Sequence, residues 1–430
     1  MKASGSKLII LTLITALFVA GAHYYISLKD RAYSPPKDEA AASTPGGDDI
    51  GVKPDDVYNS YPLPSVDTVF GHVQRLGSSG ADSVKAVYFI GEFMYLIFSS
   101  AGSGYDSRRS GSVNIAKLGA DGTIISVTPL TAGDLNPRAE YSSSKPVWNG
   151  IAICLSDGSN KINKLLYVDF NLNITKEASE AFAENTEMYF LFDKLYLYSS
   201  SHESGILSVK IFDSALLPTV SKSVSLPSPC EIYGIYGGVS SYVVLNAEDK
   251  FYVYCLSGTA FEKTAEENGV IASVTPAKDG YITVKKNSAV LCLYDAKFKK
   301  TEEKAFDDPI TGIEKTQFGY IVTSQKNDSS KVYFLCPHLD VLLSETRGES
   351  LRPVNINGSV YLLSFGGEYL NIYILSDFVI NAHLTVAAAV TDGIKSLSDK
   401  NTLYFVFTSE KVSSLASYGS TDVFVAAVKV

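Results

Sequence analysis

Apolar and polar positions alternate along this chain in a repeating rhythm. Its clearest beat is a run that is apolar at nearly every position, which recurs as Phe93-Met94-Tyr95-Leu96-Ile97-Phe98, Ile151-Ala152-Ile153-Cys154-Leu155, Leu195-Tyr196-Leu197-Tyr198, Tyr242-Val243-Val244-Leu245, Tyr281-Ile282-Thr283-Val284, Tyr320-Ile321-Val322-Thr323, Val360-Tyr361-Leu362-Leu363 and Leu403-Tyr404-Phe405-Val406. Runs this short and this apolar read as strands covered on both faces. Turn chemistry precedes them, as in Asn149-Gly150, Gly237-Gly238, Asp279-Gly280 and Asn357-Gly358. Asn-Gly and Asp-Gly supply the positive φ of tight hairpins. A third, alternating strand follows each run, as in Leu166-Tyr167-Val168-Asp169 and Val290-Leu291-Cys292-Leu293, and then a more polar fourth, as in Thr123 to Thr128 and Lys300 to Phe306.

The runs begin at 93, 151, 195, 242, 281, 320, 360 and 403, so successive spacings are 58, 44, 47, 39, 39, 40 and 43. A period near 40 to 45 with four strands per unit predicts an all-β, single β-propeller. The count favours eight four-stranded blades; seven remain open if the irregular first unit is miscounted. The eighth unit reaches Val430 just after its third strand, and an orphan strand, Val66 to Val73, precedes the first unit. That N-terminal strand is expected to complete the last blade and close the ring without leaving a half-built sheet.

In repeat architecture the body resembles the broad WD40-like and quinoprotein-like propeller superfamily. No Gly-His to Trp-Asp pairing occurs in the repeats, and a single tryptophan, Trp148, is too few for the tryptophan docking motif of quinoprotein dehydrogenases. The resemblance implies architecture and carries no residue roles.

The ends of the chain differ in character from the repeats. Lys2 and Lys7 precede an uncharged stretch from Leu8 to Leu28, and Ala20-Gly21-Ala22 fits a signal-peptidase site. Residues 1–29 are therefore expected to be a signal peptide or, uncleaved, a single-pass anchor through residues 8–28. Either places the body outside the cytoplasm, secreted or membrane-anchored. Residues 30–65, with Ser34-Pro35-Pro36 and Thr44-Pro45-Gly46-Gly47-Asp48-Asp49, read as a disordered Pro/Ala/Asp-rich tether, and 66–430 as the propeller. The chain has 430 residues and 46% hydrophobic content, enough for a large core.

Charge and chemistry narrow the function classes. With 37 basic and 46 acidic residues the net charge is -9, and no basic run offsets it, which argues against nucleic acid. The histidines His23, His72, His202, His338 and His383 fall on separate units, so no metal site is expected; His202, in a loop, is the one candidate. Cys154, Cys230, Cys255, Cys292 and Cys336 are expected to be reduced, with the last three at equivalent third-strand positions too far apart to bridge. Loop acidics such as Asp157-Gly158 read as ordinary turn residues. No nucleophile elbow, P-loop, zincin or calcium-loop motif is present, so no cofactor or catalytic residue is assigned.

Loop length points to a binding face. A loop at 101–111 carries Tyr105, Arg108 and Arg109; the connector at 131–145 carries Arg138 and Tyr141; a loop at 409–421 carries Tyr418. Ring closure makes units eight and one neighbours, so these six Tyr and Arg residues should share one sector, and both types dominate binding hot spots. The leading reading is a non-catalytic propeller, monomeric in its body, that binds or scaffolds an envelope protein or glycan of the bacterial cell surface. The alternative is a secreted hydrolase or lyase using channel-mouth residues, which leaves open whether the chain is an enzyme.

Overall fold

The computed structural model describes residues 58–61 and 72–429, except 77–79, 102–111, 131–134, 137, 238–239, 258–259, 357–358, 366–367, 377–378, 400–401, 413–414 and 417–420. Eight blades form a ring, as the period predicts, and the eight-blade count holds over seven. Blade 1 consists of Asp82–Ile90, Phe93–Ser100, Ser112–Leu118 and Ile124–Pro129, paired antiparallel in chain order from the axis outward. Blades 2 to 6 repeat this plan, beginning at Glu140–Val147, Asn185–Leu191, Glu231–Gly237, Ile271–Pro276 and Ile310–Lys315.

The last two blades depart from it by sharing a strand. Val379–Asp399 pairs through Ala387 with Tyr369–Ser376 as the fourth strand of blade 7, then from Ala388 onward with Thr402–Val412 as the first strand of blade 8. Blade 8 continues through Asp422–Lys429 and is completed by the N-terminal strand His72–Leu76, with His72 opposite Ala427 and Leu76 opposite Val423. The expected clasp therefore exists, a few residues C-terminal of where the apolar pattern places it. A further strand, Tyr58–Tyr61, pairs with it from within the stretch read as a tether. No helix among the described residues is long and apolar enough to cross a membrane; residues 8–28 lie outside the described residues.

The apolar core is divided into wedges between blades. Eight clusters of buried side chains each draw on two neighbours: Met94, Leu96 and Phe98 of blade 1 meet Tyr404 and Val406 of blade 8, and Leu195, Leu197 and Phe212 of blade 3 meet Ala152 and Leu165 of blade 2. Second strands are buried on both faces for this reason. Fourth strands such as Pro218–Ser225 and Lys300–Ala305 form the exposed outer edge.

Turns between third and fourth strands share a device. Asp169, Asp213 and Asp295 each accept two backbone N–H groups through Oδ1, from residues two and four positions on. Three residues after each aspartate a bulky side chain adopts positive φ: Leu172 (67°), Leu216 (57°) and Phe298 (58°). Cys336 and Leu339 (63°) occupy the same places in blade 6, so Cys336 belongs to this turn and not, as the spacing suggests, to a third-strand position equivalent to Cys292. A left-handed conformation is costly for such residues. All four are buried, and the Phe298 ring lies 5.3 Å from that of Tyr242 in blade 4, so interblade packing offsets the strain.

Glycines at the starts of second strands answer a different need from the one their dipeptides suggest. Neither Gly150 nor Gly280 has positive φ; in the first hairpin Trp148 does, at 44°. A Cβ on Gly150 would lie 2.3 Å from the Val168 carbonyl oxygen, and one on Gly280 would lie 1.9 Å from that of Tyr294. Close approach of the third strand requires glycine there.

Candidate functional site

First strands line the axis, and polar contacts join them around the ring. Tyr88 donates to the Ser144 carbonyl (2.9 Å), Ser142 pairs with Thr186 (2.6 Å), Tyr189 donates to the Gly237 carbonyl, and Tyr233 to that of Ala272 (2.9 Å). Thr275 donates to the Ile313 carbonyl (3.3 Å), Asn355 to that of Lys315 (2.6 Å), and the Val84 N–H to Thr408 Oγ1 of blade 8 (3.3 Å). Such contacts link the blades at their narrow ends, where little apolar surface is available.

The first strands are also irregular. Lys85 in blade 1, Ser142 in blade 2, Tyr233 in blade 4, Ala272 in blade 5 and Thr311 in blade 6 are each skipped in the pairing with the second strand. Blade 8 has three such irregularities, the last between Asp392 and Lys395. A bulge bends the strand and re-aims the side chain of the extra residue.

At the seam between blades 8, 1 and 2 the stems of all three long loops meet. Ala101, where the 102–111 loop leaves blade 1, donates its N–H to the Ala81 carbonyl at 2.9 Å. Ala81 forms a parallel bridge with Thr421, where the 409–421 segment re-enters blade 8, and the Asp82 N–H reaches the Thr421 carbonyl at 2.9 Å. A cleft of about 390 Å³ opens here, lined by Lys85, Ser99, Ser100, Arg138, Glu140 and Tyr141 among others.

Asp157 fixes one wall of this cleft. Its buried carboxylate accepts the Asn136 N–H (2.7 Å), the Ser159 and Asn160 N–H groups (3.0 Å each) and the Asn160 amide (2.8 Å). Burial pushes its pKa up, but the hydrogen bonds outweigh that and hold it below the ordinary carboxylate value. Asp157 is thus a clamp on the blade 1 to blade 2 connector, a role its reading as an ordinary turn residue misses. Asn136 in turn accepts the Arg138 N–H at 2.9 Å, which sets the base of the exposed Arg138 side chain.

Of the six residues singled out by sequence, Arg138 and Tyr141 line this one cleft. Tyr105, Arg108, Arg109 and Tyr418 lie outside the described residues. Tyr141 is not in the connector, as expected, but in the first strand Glu140–Val147 of blade 2, and the 409–421 loop likewise begins inside the strand Thr402–Val412. The phenol of Tyr141 shares a hydrogen bond with Ser144 Oγ (2.8 Å), and Tyr88 shares another with the same oxygen (2.8 Å). Burial raises the pKa of both phenols above the ordinary value, which keeps them neutral.

A second cavity, of about 400 Å³, lies beside the first along the axis. Lys85, Tyr88, Tyr141, Lys145, Glu187 and Lys395 are among its lining residues. They come from the first strands of blades 1, 2, 3 and 8. Burial raises the Glu187 carboxyl pKa, opposed by the Met188 N–H and the Lys145 charge.

Elsewhere the titratable groups are scattered. His202 sits in an exposed turn, its N–H donated to Glu184 Oε2 at 3.1 Å. Among the described residues no group of three His, Cys, Asp or Glu side chains converges. The five cysteines are free, Cys336 half-buried and the others buried.

No family model matches the chain, and no curated protein sequence matches it. Solved structures do. The propeller of Dos1 superposes with a TM-score of 0.53 at 11% identity, covering 82% of this chain and 94% of that one. BamB from Moraxella catarrhalis matches with a TM-score of 0.48 at 10% identity, covering 81% and 99%. The β-propeller domain of the Trilobed protease from Pyrococcus furiosus gives 0.42 at 12%, covering 82% and 96%. At these identities the likeness is one of fold.

Proposed function

We propose that this protein is a non-catalytic binding propeller of the cell envelope, displayed outside the cytoplasm on a tether that ends before the strand Tyr58–Tyr61 and held or exported by residues 8–28. Its partner is an envelope protein or glycan, engaged at the seam of blades 8, 1 and 2. The observation that carries this reading is the convergence of three loop stems on one open, polar cleft beside Arg138 and Tyr141. Loops held by a rigid scaffold are where binding concentrates. Tyr105, Arg108, Arg109 and Tyr418 belong in sequence to two of those loops.

Site-specific photocrosslinking in intact cells tests the reading. A photoreactive residue replacing Arg138 is expected to give a discrete adduct, whose mass spectrum distinguishes peptide from sugar. The same residue at Ser221, on the outer strand of blade 3, is the control. Equal labelling from both positions, or none from 138, would remove the cleft as the binding site.

A further inference from the structure

We propose that the axial cavity between blades 8, 1, 2 and 3 binds a compact, multiply charged oxyanion of the phosphate class, held by Lys85, Lys145 and Lys395. This goes beyond the cleft reading: it concerns a different cavity and a different class of ligand.

Charge is the first support. The chain as a whole carries a net charge of -9, yet three lysines line this cavity against a single acidic residue, Glu187. Among the described residues none of the three lysines forms an ion pair with a carboxylate. Surface lysines elsewhere in the ring are commonly paired, as Lys210 is with Glu180 and Lys285 with Glu267. Like charges gathered without partners repel one another, and a bound anion relieves that repulsion.

Backbone geometry is the second and independent support. Lys85 is the extra residue of the blade 1 bulge, Ser142 that of the blade 2 bulge, and Lys395 closes the last irregularity in the first strand of blade 8. Three adjacent blades thus each distort the first strand at a residue that lines the same cavity. Of the five residues skipped in blades 1, 2, 4, 5 and 6 only Lys85 is charged, so the one bulge that carries a cation is at this cavity.

The chemistry of the walls selects the ligand. Tyr88, Ser144 and Tyr141 satisfy one another's hydroxyl groups, which makes them a fixed, neutral wall and leaves the lysines as the recognising groups. Lysine is a point charge that binds phosphoryl groups without the fixed geometry of the arginine fork. No arginine lines the cavity, and its volume of about 400 Å³ is that of a small-molecule site.

Calorimetric titration of the full-length chain with pyrophosphate tests the proposal, with citrate as the polycarboxylate arm. One-site saturable binding of pyrophosphate is expected, weaker with added salt, and about tenfold weaker in each of Lys145→Gln and Lys395→Gln. Lys145→Arg should retain most of the affinity and, because it keeps the charge beside Glu187, the melting temperature of the parent; Lys395→Gln should also melt with the parent. Arg138→Ala should leave the affinity within about twofold of the parent, so failure of the cleft reading and of this one are separable. Absence of saturable binding at millimolar pyrophosphate, or titration curves for the lysine variants that superimpose on the parent, would overturn the site. Tighter binding of citrate than of pyrophosphate would overturn the phosphate assignment.

Discussion

Arg75, on the N-terminal strand that completes blade 8, reaches diagonally to Asp422 on the C-terminal strand, with Nε 4.0 Å from Oδ2 and both side chains buried. Ring closure therefore sets a charge pair inside the apolar seam, beside Leu76, Val423 and Val425. Removing one partner of a buried pair costs about 3–5 kcal/mol, whereas replacing both with apolar residues costs far less. Arg75→Ala should lower the melting temperature and accelerate hydrogen exchange in Thr402–Val412 and Asp422–Lys429. The double variant Arg75→Met/Asp422→Leu should recover most of the loss. A double variant as unstable as the single one would show that the seam is held by something other than this pair.

The Asp157 clamp carries a pH signature. Its pKa is lowered in the folded protein, so its stabilisation is present above the ordinary carboxylate value and lost as pH falls through the lowered one. Asp157→Asn should cost about 1–3 kcal/mol at pH 7, where the variant loses a charged acceptor. The gap between the two proteins should hold down to about pH 4 and close below it. Melting curves at several pH values measure this, and a gap independent of pH would mean that the carboxylate charge is irrelevant to the clamp.

The second strands were readable because they are buried on both sides between blades: Phe93–Ser100 and Tyr320–Lys326 begin where the apolar runs at Phe93 and Tyr320 begin. Fourth strands were readable for the opposite reason, as exposed edges. First strands hid the site. Glu140–Val147 contains Ser142-Ser143-Ser144, whose hydroxyls serve Tyr88, Tyr141 and Thr186 at the axis, so it shows no apolar alternation and Tyr141 read as a loop residue. Bulges such as that at Lys85 leave no compositional mark. Positive φ at Leu172, Leu216, Phe298 and Leu339 runs against the preference for Gly or Asn, and it is fixed by packing against the neighbouring blade, which no local rule reports.

Gly280 offers a test of backbone crowding isolated from φ. Its conformation suits any residue, but an added Cβ would meet the Tyr294 carbonyl oxygen at 1.9 Å and the Asp295 backbone at 2.7 Å. Gly280→Ala is expected to destabilise by about 3 kcal/mol, the upper end for a point substitution, because backbone atoms cannot yield as a side chain could. Gly348→Ala, where a Cβ would meet nothing within 4 Å, is the matched control and should be near neutral. Equal melting temperatures for the two variants would refute the crowding argument.

Glu314 should make the ring less stable as the medium becomes neutral. It lies half-buried on Ile310–Lys315, the first strand of blade 6, and burial pushes its carboxyl up from 4.5 to about 7. A raised carboxylate pKa means that the fold favours the protonated form: its contribution is full below the unfolded value near 4.5 and declines as pH rises through about 7. Glu314→Gln keeps the shape and removes the titration. Its melting temperature should match the parent at pH 4, exceed it progressively between pH 5 and 7, and hold a constant advantage above that range. Carbon-13 chemical shifts of the labelled carboxyl would place the midpoint directly, and a midpoint near 4.5 would show that water reaches this side chain as freely as in the unfolded chain.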